Sequence, residues 1–153
     1  MCRKMRAAAA INTQAFGVSP RAALHRAFVA SNYCRAALVE GGVAAMWGVV
    51  APILSDRAMV WLVLAESLGR FPRAIVREAR SELQKVMESY SYVDMIVVPD
   101  DEASVRFARH LGFQATDGEF FSDDKDALND PRFRIPIGDG YVVRMGYAPA
   151  MVN

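Results

Sequence analysis

Two apolar runs constrain the fold of this chain more than anything else in it. "AMVWLVLAE" (residues 58–66) and "YVDMIVVP" (residues 92–99) are almost continuous in apolar and β-branched residues. Runs of this kind mark strands buried on both faces. Between them, Ile75, Val76, Ala79, Leu83, Val86, Met87 and Tyr90 recur at helical spacing, with Arg73, Arg77, Arg80, Gln84 and Glu88 opposite. Pro72 suits the first turn of that helix, where its missing N–H costs nothing. Strand, helix and strand in this order form a crossover unit, so the two strands are expected to be parallel neighbours.

The flanks read as smaller units. In "VSPRAALHRAFVAS", Ser19 caps a helix that Pro20 opens, and Ala23, Leu24, Ala27 and Phe28 share one face. "CRAALVEGGVAAMWGVVAP" reads as a hairpin turning at Gly41-Gly42. Asp100 or Asp101 caps a short helix that runs to about Leu111, and Gly112 ends it in the left-handed conformation. Residues 114–131 are polar, acidic and loop-like. "RFRIPI", a Gly138-Asp139-Gly140 turn and "YVVRMGY" make a final hairpin. The fold class is a mixed α/β (α+β) sheet in a single domain, residues 18–153, preceded by an arm of residues 1–17 that is poorly ordered or bound to a partner. With 53% apolar and 23% charged residues, the chain carries enough for a real core.

Charge and cysteine usage exclude several classes. Net charge is +1, and no basic, aromatic-rich patch interrupts the chain, which argues against a nucleic-acid partner. The charge is uneven: residues 1–39 hold Arg3, Lys4, Arg6, Arg21, Arg26 and Arg35 without an acid. Asp117, Glu119, Asp123, Asp124, Asp126 and Asp130 face only Lys125 in their own stretch. Both segments read as solvated surface, or as a basic arm for a partner or for the acidic loop of a second copy. Cys2 and Cys34 do not make a disulfide framework, and Cys34 reads as a buried free thiol. His25 and His110 are isolated, so no metal site is expected. The first apolar run breaks at Asn12-Thr13-Gln14, which is no secretory core, and no stretch reaches the roughly 18 apolar residues of a membrane span. A reducing, cytoplasmic setting fits.

Three stretches together resemble the GCN5-related N-acetyltransferase (GNAT) superfamily: the hairpin and strand "GGVAAMWGVVAP…AMVWLVLAE", the junction "LAESLGRFPRAIVREAR", and "VVPDDEASVRFARHLGF" with its closing Leu-Gly-Phe. The resemblance covers about residues 36–113. It implies an acyl-CoA N-acyltransferase fold, here lacking the first strand, and acetyl-CoA as donor. A narrower resemblance rests on "GVSPRAALHRAF", "VAAMWGVV", "WLVLAESLGRFPRAIVREAR" and "SVRFARHLGF". These are similar to acetyltransferase-like proteins of short-tailed phages and prophages, a group with an internal-virion or assembly member. That implies virion or assembly proteins, or further copies of the chain, as partners, in a bacterial host or a virion.

The family's diphosphate loop follows Gln/Arg-x-x-Gly-x-Gly/Ala into a helix, where backbone N–H groups and the helix dipole meet the anion. Started at Glu66, the pattern gains Gly69 but meets Phe71 where a small residue belongs. Started at Gly69, it gains Ala74 but meets Pro72, which has no N–H to donate. Arg70, Arg73 and Arg77 supply guanidinium groups at the helix start. The resemblance therefore implies Gly69, Arg70, Arg73, Ala74 and Arg77 as the candidate site for the CoA diphosphate. The tyrosine that many members use as general acid corresponds to Ala108, which has no proton to give. Glu66, at the end of the central strand, is the candidate general base. Asp94 falls within a strand, buried or facing outward at an edge. Two readings follow: a degenerate acetyltransferase acting as a virion-associated or assembly component, and an active acetyltransferase on an unidentified amine. A missing first strand also leaves a sheet edge open to another chain.

Overall fold

The computed structural model describes residues 17–65, 73–137 and 139–147. In chain order they form α1 (Pro20–Ala30), β1 (Tyr33–Val39), β2 (Gly42–Val50), β3 (Arg57–Leu64), α2 (Arg73–Ser89), β4 (Tyr92–Val97), α3 (Glu102–Leu111), β5 (Phe113–Thr116), β6 (Phe121–Ser122), β7 (Arg134–Ile137) and β8 (Gly140–Tyr147). The strands form one sheet in the order β1-β2-β3-β4-β8-β5-β6, with β7 also on β8. All neighbours are antiparallel except β3 and β4, the pair joined by the α2 crossover.

That parallel pair is short. Arg57, Ala58 and Met59 partner Tyr92, Val93 and Asp94, and there the pairing ends. β3 continues to Leu64 bound only to β2, and β4 continues to Val97 bound only to β8. The two strands thus part along a seam in the middle of the sheet.

Side-chain parity fixes the faces. Val93 and Val97 of β4, and Val143 and Met145 of β8, bury themselves with Leu83 and Val86 of α2 and with Val105, Phe107, Ala108 and Leu111 of α3. Phe113 and Met145 are almost fully enclosed, and each such side chain contributes about 1.5–3 kcal/mol by leaving water. The alternate residues, among them Gly48, Trp61 and Asp94, face the other side. There α1 packs on β2, and Trp61 Nε1 donates to Ser31 Oγ at 2.8 Å. Only glycine fits at position 48, because a Cβ would stand 2.7 Å from Trp61 Nε1 and 2.8 Å from Ser31 Oγ.

The crossover unit, both caps and the parallel pairing follow the sequence reading. Ser19 accepts from the Ala22 N–H, Asp101 from the Ser104 N–H, and Gly112 ends α3 at φ 104°. Other elements differ. The first hairpin turns at Glu40-Gly41, not Gly41-Gly42, since both residues have positive φ and Val39 pairs with Gly42. Residues 114–131 are not a plain loop. β5 inserts beside β8, and two 3₁₀ turns follow, at Lys125–Asn129 and Pro131–Phe133. Ala127, Leu128 and Phe133 join the core. The acidic residues there serve the backbone: Asp117 accepts from Glu119 and Phe120 N–H, and Asp124 and Asp130 cap the two turns. Cys34 is free, but it is half-buried rather than buried. No residue of α1 is buried, and Phe28 stands 56% exposed, so the face predicted for that helix is only partly covered. β1 is the outermost strand, pairing among the described residues only with β2. Residues 1–16 of the expected arm lie outside the described residues.

Candidate active site

The site begins at the seam. β3 leads through residues 66–72 into the first turn of α2, so the opening between β3 and β4 and the start of a helix share one end of the sheet. Of the expected site residues, Glu66, Gly69 and Arg70 fall within 66–72, outside the described residues, as do Phe71 and Pro72. Arg73, Ala74 and Arg77 are brought together. They line an open groove with Arg80, Ser81 and His110, and among the described residues no acidic side chain lines it. The α2 first turn also lacks an acid, so its positive dipole end is unneutralised there. Arg80 is committed elsewhere, donating to the His110 carbonyl at 2.9 Å. Arg73 and Arg77 form no ion pair among the described residues. A diphosphate fits this groove in charge and in helix position.

On the core side of the sheet, a cavity of about 90 Å³ runs from the seam towards β1. Trp47, Val60, Leu62, Ala79, Leu83 and Met95 are among its lining residues, and nearly all of its wall is apolar. Glu82, a residue the sequence reading passed over, also lines it and is 4% exposed. Its carboxylate takes Lys85 Nζ at 2.6 Å, Arg35 Nε at 3.1 Å and the Tyr33 hydroxyl at 3.4 Å. Burial works to raise the Glu82 pKa, but the Lys85 hydrogen bond and the Arg35 charge outweigh it and hold the carboxyl below its usual range. Burial first, then the charge and hydrogen bond of Glu82, raise the Tyr33 hydroxyl against the opposing Arg35 charge.

Asp94 holds the other carboxylate of note. It belongs to the last β3–β4 pair, so it stands where the strands part, on the face opposite the helices. Arg144 Nε lies 3.5 Å from its Oδ2. Burial raises its pKa, and the charges of Arg144 and Arg57 offset this only in part. Parity with Val93 and Met95 settles what the sequence left open: Asp94 turns away from the core. Ala108 is fully enclosed in the core, and no acid stands at that position. Among the described residues, no group of His, Cys, Asp or Glu can hold a metal, and no helix is long and apolar enough to cross a membrane.

A sheet split between parallel neighbours, with an arginine-bearing helix start at the split, is the architecture of the acyl-CoA N-acyltransferase fold. This chain has the GNAT form of that fold, and the solved structures similar to it are acetyltransferases. A GNAT-family acetyltransferase from Bacillus anthracis matches with TM-score 0.55 and 12% identity, over 89% of this chain and 81% of that one. One from Streptococcus pneumoniae matches with TM-score 0.54 and 14% identity, over 84% and 73%. AAC(6')-Ib in complex with ribostamycin and coenzyme A matches with TM-score 0.55 and 10% identity, over 80% and 68%. No protein-family model and no curated protein sequence matches the chain.

Proposed function

We propose that this protein is an acyl-CoA-dependent N-acyltransferase acting on a primary amine. The observation that carries the reading is the seam: β3 and β4 separate after Met59 and Asp94, and the helix that follows β3 carries Arg73 and Arg77 in an open groove, without an ion pair among the described residues. Arg73 and Arg77 hold the CoA diphosphate, and the small Ala74 leaves the backbone approachable. Gly69 and Arg70, outside the described residues, are the further candidates for that site. Bound acyl-CoA supplies an activated acyl thioester, and acetyl-CoA is the simplest such donor.

Asp94 acts as general base. Its pKa is raised towards the working range, it stands at the parting of the strands, and Arg144 fixes its orientation. Glu66, outside the described residues, is the second candidate for this role. No acid replaces the tyrosine at Ala108, so the thiol takes its proton from solvent, an arrangement that lowers the rate without preventing transfer. Titration calorimetry with CoA tests the donor site: micromolar binding that is lost in Arg73→Glu is expected, and no binding at millimolar CoA overturns the reading.

A second reading is an assembly component of phage type with no acyl transfer. The β1 edge, unpartnered among the described residues, favours it, with Leu38 67% and Val39 54% exposed on that strand, as does Ala108. It requires self-association or a stable virion partner. A chain that sediments strictly as a monomer and is absent from purified particles defeats it.

A further inference from the structure

We infer that the donor carries an acyl chain longer than acetyl, of about four or five carbons, and that the cavity behind the seam receives it. This rests on the acyltransferase reading above. The cavity is bounded by Val60 and Leu62 of β3 and Met95 of β4, the residues that follow the last β3–β4 pair on the core-facing side. Its inner end therefore lies at the seam into which a thioester would have to reach. Ala79 on α2 faces it, where a larger side chain would close the space.

Size and polarity select the occupant. A volume of about 90 Å³ is roughly three times the share of one water molecule in the liquid, and so matches about three methylene groups. An acetyl group leaves that space empty. Water there finds few hydrogen-bond partners, because nearly all of the wall is apolar. A void in a packed core is a standing loss of contact that an alkyl chain removes. Glu82, paired with Arg35 and Lys85, is among the lining residues, and a charged group there disfavours a chain long enough to reach it. Trp47, which shares the core-side parity of Val60 and Leu62, lines the cavity and reports on its filling.

The test uses the full chain and the thioesters acetyl-, butanoyl- and pentanoyl-CoA, beside free CoA. Each methylene that leaves water tightens binding about fourfold, so pentanoyl-CoA is expected to bind on the order of tenfold to sixtyfold tighter than acetyl-CoA. Tryptophan emission should shift with pentanoyl-CoA and not with free CoA. In Ala79→Leu the pentanoyl-to-acetyl affinity ratio is expected to fall to about fourfold or less, on the same measure. If that variant does not fold, the chain-length series and the emission of the unaltered protein still decide. Equal affinity for acetyl- and pentanoyl-CoA, with free CoA binding normally, overturns this inference and leaves the acyltransferase standing. Failure of free CoA and every thioester to bind overturns both.

Discussion

Glu82 and Asp94 are both carboxylates withdrawn from water, and the fold treats them in opposite ways. Glu82 lies on the core side of the sheet with two cations and a hydroxyl around it, and its pKa falls. Asp94 lies on the other face with Arg144 at 3.5 Å, and its pKa rises because burial exceeds the compensation. A carboxylate that is fully compensated stabilises a structure and is poor at taking a proton. One left under-compensated costs stability and is ready to take one. Charge placement alone therefore separates a structural acid from a candidate base.

Replacing each in turn tests that separation most severely. Asp94→Asn is expected to lower kcat for transfer to an amine by about 10²–10⁴-fold, with Tm unchanged or slightly raised. A loss of Tm beside full activity would reverse the assignment, and Glu66→Gln would then be the variant to lose rate. Glu82→Ala should behave conversely. Its partners Arg35 and Lys85 are half-exposed and rehydrate when it is removed, so the loss is about 1–3 kcal/mol rather than the larger cost of a stranded buried charge. Chemical denaturation measures it as a lower midpoint at unchanged slope.

Acid titration of stability gives a smaller effect with opposite signs. The folded pKa of Glu82 lies below its ordinary value of 4.5. Its contribution is thus complete above that value and is lost as pH falls through the folded pKa. The folded pKa of Asp94 lies above 3.8, so its favourable contribution is complete below 3.8 and is lost as pH rises through the folded pKa. Plotted against pH, the stability difference between wild type and Glu82→Gln should open upward from acid to neutral. Between wild type and Asp94→Asn it should move the other way. Parallel curves would mean that the two sites share one electrostatic environment.

Neither role could be assigned from sequence, and the reasons differ. The seam's elements were legible because β3, α2 and β4 bury continuous or strictly periodic apolar residues, and such periodicity is local. Glu82 was missed because it lies in the apolar stripe of α2, beside Ala79 and Leu83; that position was the available signal. What neutralises it comes from Arg35 of β1, and no periodicity reports so distant a partner. Asp94 was noticed, but its face depends on which parity of β4 the helices cover. β5 and the 3₁₀ turns stayed hidden for the same reason: Ala115, Thr116, Ala127 and Leu128 are buried by neighbours remote in sequence. The acids around them read as solvent-facing charge, although several cap backbone N–H groups. Of the proposed diphosphate site, Arg73 and Arg77 were singled out in the sequence and line one groove. Its loop, with Glu66, Gly69 and Arg70, lies outside the described residues.

The finest test of the comparison changes the cations and leaves both acids in place. Arg144 is the first charge opposing the burial of Asp94, and Arg57, which stacks over the Tyr92 ring at 4.9 Å, is the lesser one. Arg144→Gln removes the stronger counter-charge, so the Asp94 pKa should rise further. The acidic limb of the kcat/KM profile, below which the base is protonated, should then move to higher pH. Arg57→Gln should move it in the same direction by less, and Arg35→Gln, which faces Glu82 on the far side of the sheet, should not move it. The order of these three shifts carries the argument, because general destabilisation would lower rates without ranking the limb. If Arg35→Gln moved the limb as far as Arg144→Gln, the titrating base would lie on the core side, and Asp94 would lose its role.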